Sequence, residues 1–166
     1  MTAAAPSSHD SAPGVRYLED FVVGERWISA PTPVSAEDII AFARANDPQP
    51  MHTDPEWART GPFKGLIASG WQIAALSMRV FVQSGGYGRT PVVGMGIDEL
   101  RWRKPVRAGD VLTVEREVAA VERSQSRPDQ GTIRTQVTVR NQDGDAVMTL
   151  STLGRVPARP GDGAAS

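Results

Sequence analysis

Between Gly65 and Ser84 the chain carries a single charged residue, Arg79, while Leu66, Ile67, Trp71, Ile73, Leu76, Met78, Val80, Phe81 and Val82 fall on every side of a helical wheel. A helix that is apolar all round is a buried one. A membrane span wants about 20 predominantly apolar residues, and Ser69, Gly70, Gln72, Ser77 and Arg79 interrupt this stretch. The helix therefore needs a protein layer to enclose it, and Gly85-Gly86 ends it.

Everything after Pro91 reads as strand. Ile133, Thr135, Val137 and Val139 alternate with Thr132, Arg134, Gln136, Thr138 and Arg140, the period-two pattern of a sheet with one covered face. Asp143-Gly144 is a hairpin signal leading into Ala146 to Val156. Val111 to Val121 forms another strand, entered through the turn Ala108-Gly109-Asp110. In Val92 to Trp102 the apolar phase shifts from Val93, Met95 and Ile97 to Leu100 and Trp102, so a bulge is expected near Asp98-Glu99. With an early strand around Arg26 to Ala30 the count is five. Helices come early and antiparallel strands late, which is an α+β layout with a curved sheet around one helix.

A chain of 166 residues fits one domain and buries roughly two thirds of its unfolded surface. Residues 1–15 and 157–166 are rich in Ala, Pro, Ser and Gly and are read as loose tails around a domain at 16–156. The net charge of −1 argues against nucleic acid as a partner, and the absence of cysteine removes disulfides, thiol nucleophiles and thiolate metal sites. Residues 1–14 lack the basic start and apolar run of a secretion signal, so a cytoplasmic location is expected.

One histidine of the two, His9, lies in the first tail, which leaves His52 for any fixed site. A helix starts after Ser35, a plausible N-cap with Asp38 three residues on, and should end near Asn46. Asp47 precedes Pro48 and Pro50 follows, so Asp47 to His52 is expected to be a stiff, extended loop. Asp54-Pro55-Glu56 has the order of an N-cap, a first-turn proline and an acidic first turn, opening a short helix to about Arg59. Asp54 is accordingly read as a cap rather than a catalytic group. With one usable histidine, no metal site is expected.

The segment Phe42 to Pro55, with Asp47 five residues before His52 and Pro50 between them, is followed by Phe63 to Trp71 containing Ile67-Ala68-Ser69-Gly70. This linked pair of motifs, with Arg103 to Asp110 later, resembles the MaoC-like dehydratases, which include the (R)-specific enoyl-CoA hydratases. The resemblance spans nearly all of Tyr17 to Val156. It implies a hot-dog fold, in which the long buried helix is wrapped by the antiparallel sheet. It also implies hydration of a trans-2-enoyl thioester, or the reverse dehydration of a 3-hydroxyacyl thioester, in a homodimer. No cofactor is implied beyond the coenzyme A of the substrate. By the resemblance, Asp47 and His52 hold one water, and the backbone N–H of Gly70 faces the thioester oxygen. Three positions depart from the family pattern: Gln49 replaces its asparagine, Ser69 its histidine before the glycine, and Met78 a serine that some members carry.

The chemistry fits those residue types. Adding water across a conjugated double bond needs a base for the water and an acid for the α-carbon, and a carboxylate near an imidazole supplies both near neutral pH. Gln49, Ser69 and Trp71 are expected to contact substrate. Arg103 and Lys104, in a basic cluster with Arg101, Trp102 and Arg107, suit either coenzyme A phosphates or a solvated strand edge. Trp57, Phe63 and Trp71 are read as core, with Trp71 also lining the acyl pocket. Thioester hydrolysis and non-catalytic acyl binding are the rival functions on the same fold.

Overall fold

The computed structural model describes residues 14–161. A 3-10 turn at Leu18–Asp20 leads to two short strands, β1 (Arg26–Ile28) and β2 (Thr32–Pro33). Four helices follow: α1 (Ala36–Asn46), α2 (Pro50–Thr53), α3 (Pro55–Thr60) and α4 (Gly70–Gln83). The long strands β3 (Val93–Trp102), β4 (Val111–Arg123), β5 (Gln130–Arg140) and β6 (Ala146–Pro157) complete the chain.

All pairings are antiparallel, in the order β1-β4-β5-β6-β3, with β2 also on β4. The sixth strand, β2, escaped the count of five because two residues carry no periodicity. The period-two pattern of β5 holds in three dimensions: Ile133, Thr135, Val137 and Val139 are all buried. On β3 the register slips between Asp98 and Arg101, and Glu99 adopts a φ of 54°. That is the bulge the change of apolar phase calls for, with the extra residue in a left-handed conformation.

The main core joins Ile73 and Leu76 of α4 to Ile39 of α1 and to Leu112, Val114, Val137, Val139 and Met148 of the sheet. Burying each such side chain contributes about 1.5–3 kcal/mol. A second cluster, Leu18, Phe21, Val118, Ile133, Val156 and Ala158, closes the other end of the sheet.

Four expectations need correction. The apolar helix starts at Gly70, not Gly65, because residues 65–69 pair as extended chain: Ala68 N–H donates to the Val106 carbonyl at 2.8 Å and Ile67 bridges Arg107. Nor is the helix covered on all sides, since Trp71, Met78 and Val82 remain exposed. Asp47 to His52 is not one extended loop. Asp47 leaves the helical region and Gln49 is extended, each before a proline, but Pro50 then takes the first position of α2, where its fixed φ suits a helix. Finally, the C-terminal tail does not begin at 157. Ala158 is buried against Leu18 and Phe21, its N–H donates to the Asp129 carbonyl, and Arg159 pairs with Asp20. At the other end Val15 bridges Gly88; the rest of both tails lies outside the described residues.

No helix among the described residues is long and apolar enough to cross a membrane.

Candidate active site

Ser35 caps α1 by accepting from Asp38 N–H at 3.0 Å, which starts the helix so that it ends with Asp47 as C-cap. Asp54 caps α3 through bonds from Glu56 and Trp57 N–H at 2.9 and 3.0 Å, the structural role expected of it. Between these fixed ends, Asp47 and His52 are brought together. Asp47 Oδ2 lies 3.4 Å from His52 Nε2, with the two side chains 18% and 5% exposed.

The other imidazole nitrogen settles the tautomer. His52 Nδ1 is 2.8 Å from the Ile67 carbonyl, which can only accept, so Nδ1 carries a proton. In the neutral ring Nε2 is then a lone pair facing a carboxylate. It is free to take a proton from a water, and the imidazolium so formed has Asp47 as its counter-charge.

Asp47 is held from two more directions. Ser69 Oγ donates to Oδ2 at 2.6 Å and Gln49 Nε2 to Oδ1 at 2.7 Å. The Ser69 bond first, then that of Gln49, and the nearby His52 hold the Asp47 carboxyl below its ordinary value despite some desolvation. Asp47 is therefore a persistent carboxylate. Ser69 has no exposed surface, so it supports Asp47 rather than facing a substrate as the sequence reading placed it.

His52 and Gly70 line a cleft of about 300 Å³ with Met51, Phe63, Ile73, Trp102, Arg103, Lys104 and Val106. Gly70 is the first residue of α4, where backbone N–H groups have no intrahelical acceptor and the helix dipole is positive. Trp71 stands outside the cleft lining: it is 54% exposed and meets Trp102 edge to face at 5.3 Å. Trp57 and Phe63, expected in the core, are also exposed, because α3 and the turn after it lie on the surface. Arg103 and Lys104 reach the cleft with prior partners: Arg103 Nε donates to Thr149 Oγ1 at 3.2 Å and Lys104 Nζ pairs with Asp145 at 2.7 Å.

Residues 22–141 match the family described as MaoC like domain. The chain belongs to the MaoC-like dehydratase family. A MaoC-like dehydratase of Rhodospirillum rubrum superposes with a TM-score of 0.78 at 43% identity, covering 87% of this chain and 99% of that one. An (R)-hydratase of A. caviae gives 0.68 at 25%, covering 82% and 97%. The 3-hydroxyacyl-thioester dehydratase Z of Mycobacterium tuberculosis is 32% identical over 115 residues, 68% of this chain and 74% of that protein. The family's architecture is the hot-dog fold, and these named relatives share the addition or removal of water.

Within this MaoC-like domain, the sequence reading missed Trp102 as a partner of Gly70. A Cβ on residue 70 would collide with the Trp102 indole, so glycine here lets the ring lie against the start of α4. The contact joins residues far apart in the chain and depends on the β3 bulge, so no local pattern announces it. Among the described residues no group of three or more His, Cys, Asp or Glu side chains is arranged to hold a metal.

Proposed function

We propose that this MaoC-like chain hydrates a trans-2-enoyl thioester, or dehydrates a 3-hydroxyacyl thioester in the reverse direction. The observation that carries the reading is His52, which pairs with Asp47 and lines a largely apolar cleft, with its Nε2 as the basic atom. Water loses a proton to His52 Nε2 as its oxygen bonds to C3. The displaced π electrons move to the thioester oxygen, which the Gly70 N–H would meet. The imidazolium then returns the proton to C2, while Asp47, which stays ionised, balances its charge. Two half-steps thus use one histidine as base and then acid.

The substrate is best read as an acyl-CoA-type thioester. Trp102 and the Arg103 guanidinium stand at the cleft for its coenzyme portion, and Lys104 joins them if it leaves Asp145. No cofactor is needed for this chemistry. The test is turnover of crotonyl-CoA and longer enoyl-CoA thioesters, followed by loss of the ultraviolet band of the conjugated thioester. Free thiol release without hydration would identify a hydrolase instead. Binding with neither change would identify a non-catalytic acyl-binding protein.

The same reading includes a homodimer and a cytoplasmic location. Strand β3 is a sheet edge with Val93, Met95 and Ile97 exposed, and α4 exposes Trp71, Met78 and Val82. An uncovered apolar edge of this kind is ordinarily paired.

A further inference from the structure

At the opposite end of α4 from the candidate site, the guanidinium of Arg116 is buried beneath the helix. The residue is 4% exposed and projects from β4 onto the core face of the sheet. Its Cζ lies 4.1 Å from the centre of the Phe81 ring and 5.9 Å from that of Tyr87. Phe81 in turn meets Trp27 and Tyr87 edge to face at 5.0 and 4.7 Å. Gly86 belongs to this arrangement, since any Cβ there would collide with the Phe81 ring.

The charge lacks an opposite charge. Nη2 donates to the neutral Tyr87 hydroxyl at 3.1 Å, and Nε has no hydrogen-bond acceptor among the described residues. Burial pulls the guanidinium below its ordinary value, and only Tyr87 opposes that effect. An arginine nevertheless stays protonated in a protein. Leaving a buried charge unpaired is destabilising, and cation–π contact offsets only part of that.

A cavity of about 30 Å³ adjoins it. Its charged lining consists of Arg16, Arg26 and Arg116 against Glu25 and Glu117. Arg16 pairs with Glu25 at 2.8 Å and Arg26 with Glu117 at 3.2 Å, so both carboxylates are taken and one positive charge is left, that of Arg116. A single water needs roughly 10–15 Å³ by this measure, which gives the cavity room for about two waters or one monatomic anion.

We propose that this cavity is a binding site for one small monovalent anion, of the size of chloride, held by Arg116. The anion lies against the guanidinium edge that lines the cavity and neutralises the excess charge. It fastens the C-terminal half of α4 to the sheet through the Arg116–Phe81–Tyr87 stack. Because it binds the folded chain alone, it stabilises in proportion to its occupancy.

The test compares thermal unfolding of the full chain in sodium chloride and in sodium gluconate at equal ionic strength. Chloride at tenfold its Kd multiplies the folded population about elevenfold, a rise in Tm of about 3–5 °C for a chain of this length. The increment saturates with chloride, is reproduced by bromide, and vanishes in Arg116→Met. Crystals grown in bromide should show an anomalous peak in the cavity beside the Arg116 guanidinium, a readout that holds even if Arg116→Met fails to fold. Equal melting in chloride and gluconate, with no bromide peak, overturns the proposal.

Discussion

Ser69 donates its hydroxyl to Asp47 Oδ2 at 2.6 Å while accepting the N–H of Trp71 at 3.3 Å. One small side chain thus fixes the carboxylate and caps the helix whose first residue, Gly70, lines the cleft. Ser69→Ala should cost about 1 kcal/mol from the lost cap, and should move Asp47 protonation up towards the ordinary carboxylate range. A depressed folded-state value contributes stability that is complete above the unfolded value near pH 4 and is lost as pH falls through the folded one. Ser69→Ala should therefore lose less stability than the parent between pH 5 and the acid limit. Denaturant titrations across that window measure the difference. An unchanged acid slope would mean that Ser69 only caps.

Asp47→Asn and His52→Ala should each lower turnover by about 10² to 10⁴, the range for a positioned acid or base. His52 moves the proton and Asp47 balances the imidazolium that forms, so the two act as a unit and the double variant should be scarcely worse than either single. Circular dichroism should show each variant folded. Losses that multiply in the double variant would sink the reading of Asp47 and His52 as one unit.

Light scattering should give twice the chain mass. Ile97→Lys with Met95→Lys places two charges on the exposed edge of β3 and should yield monomers without disturbing the core, since neither side chain is buried. A parent protein of single-chain mass in dilute solution would refute the dimer.

Local pattern made much of this molecule legible. The phase change along β3 located a bulge because side-chain alternation survives only if an extra residue is inserted, and Glu99 is that residue. Ser35, Asp54 and the glycines of the turns act within a few residues, so their effects could be read from order alone. The start of α4 could not. Residues 65–69 are as apolar as the helix itself, and their pairing with Met51 and Val106 is a property of the assembled fold. The exposed side of α4 has the same origin: hydrophobicity states what wants cover, not whether this chain or another surface provides it. In the site, the Asp47–His52 spacing was visible in the motif. The support from Ser69 and the seat of Trp102 on Gly70 required the folded structure.

Gly70 has two explanations that one set of variants can separate. In the proposed mechanism its N–H meets the thioester oxygen, and a side chain there would crowd the substrate. Its missing Cβ is also what admits the Trp102 indole, so a side chain would overpack the protein at about 1–3 kcal/mol. Gly70→Val should lower both activity and Tm, which by itself decides nothing. Trp102→Ala removes the ring, and in that background Gly70→Ala should cost little stability because the clash is gone. The alanine keeps its N–H, so any activity it still loses reflects crowding of the substrate rather than a lost donor. The oxyanion reading expects turnover in Gly70→Ala/Trp102→Ala to remain well below that of Trp102→Ala at matched Tm, with kcat falling more than KM rises. Equal turnover in the two would show that the missing Cβ of Gly70 serves packing against Trp102 and not approach of the substrate.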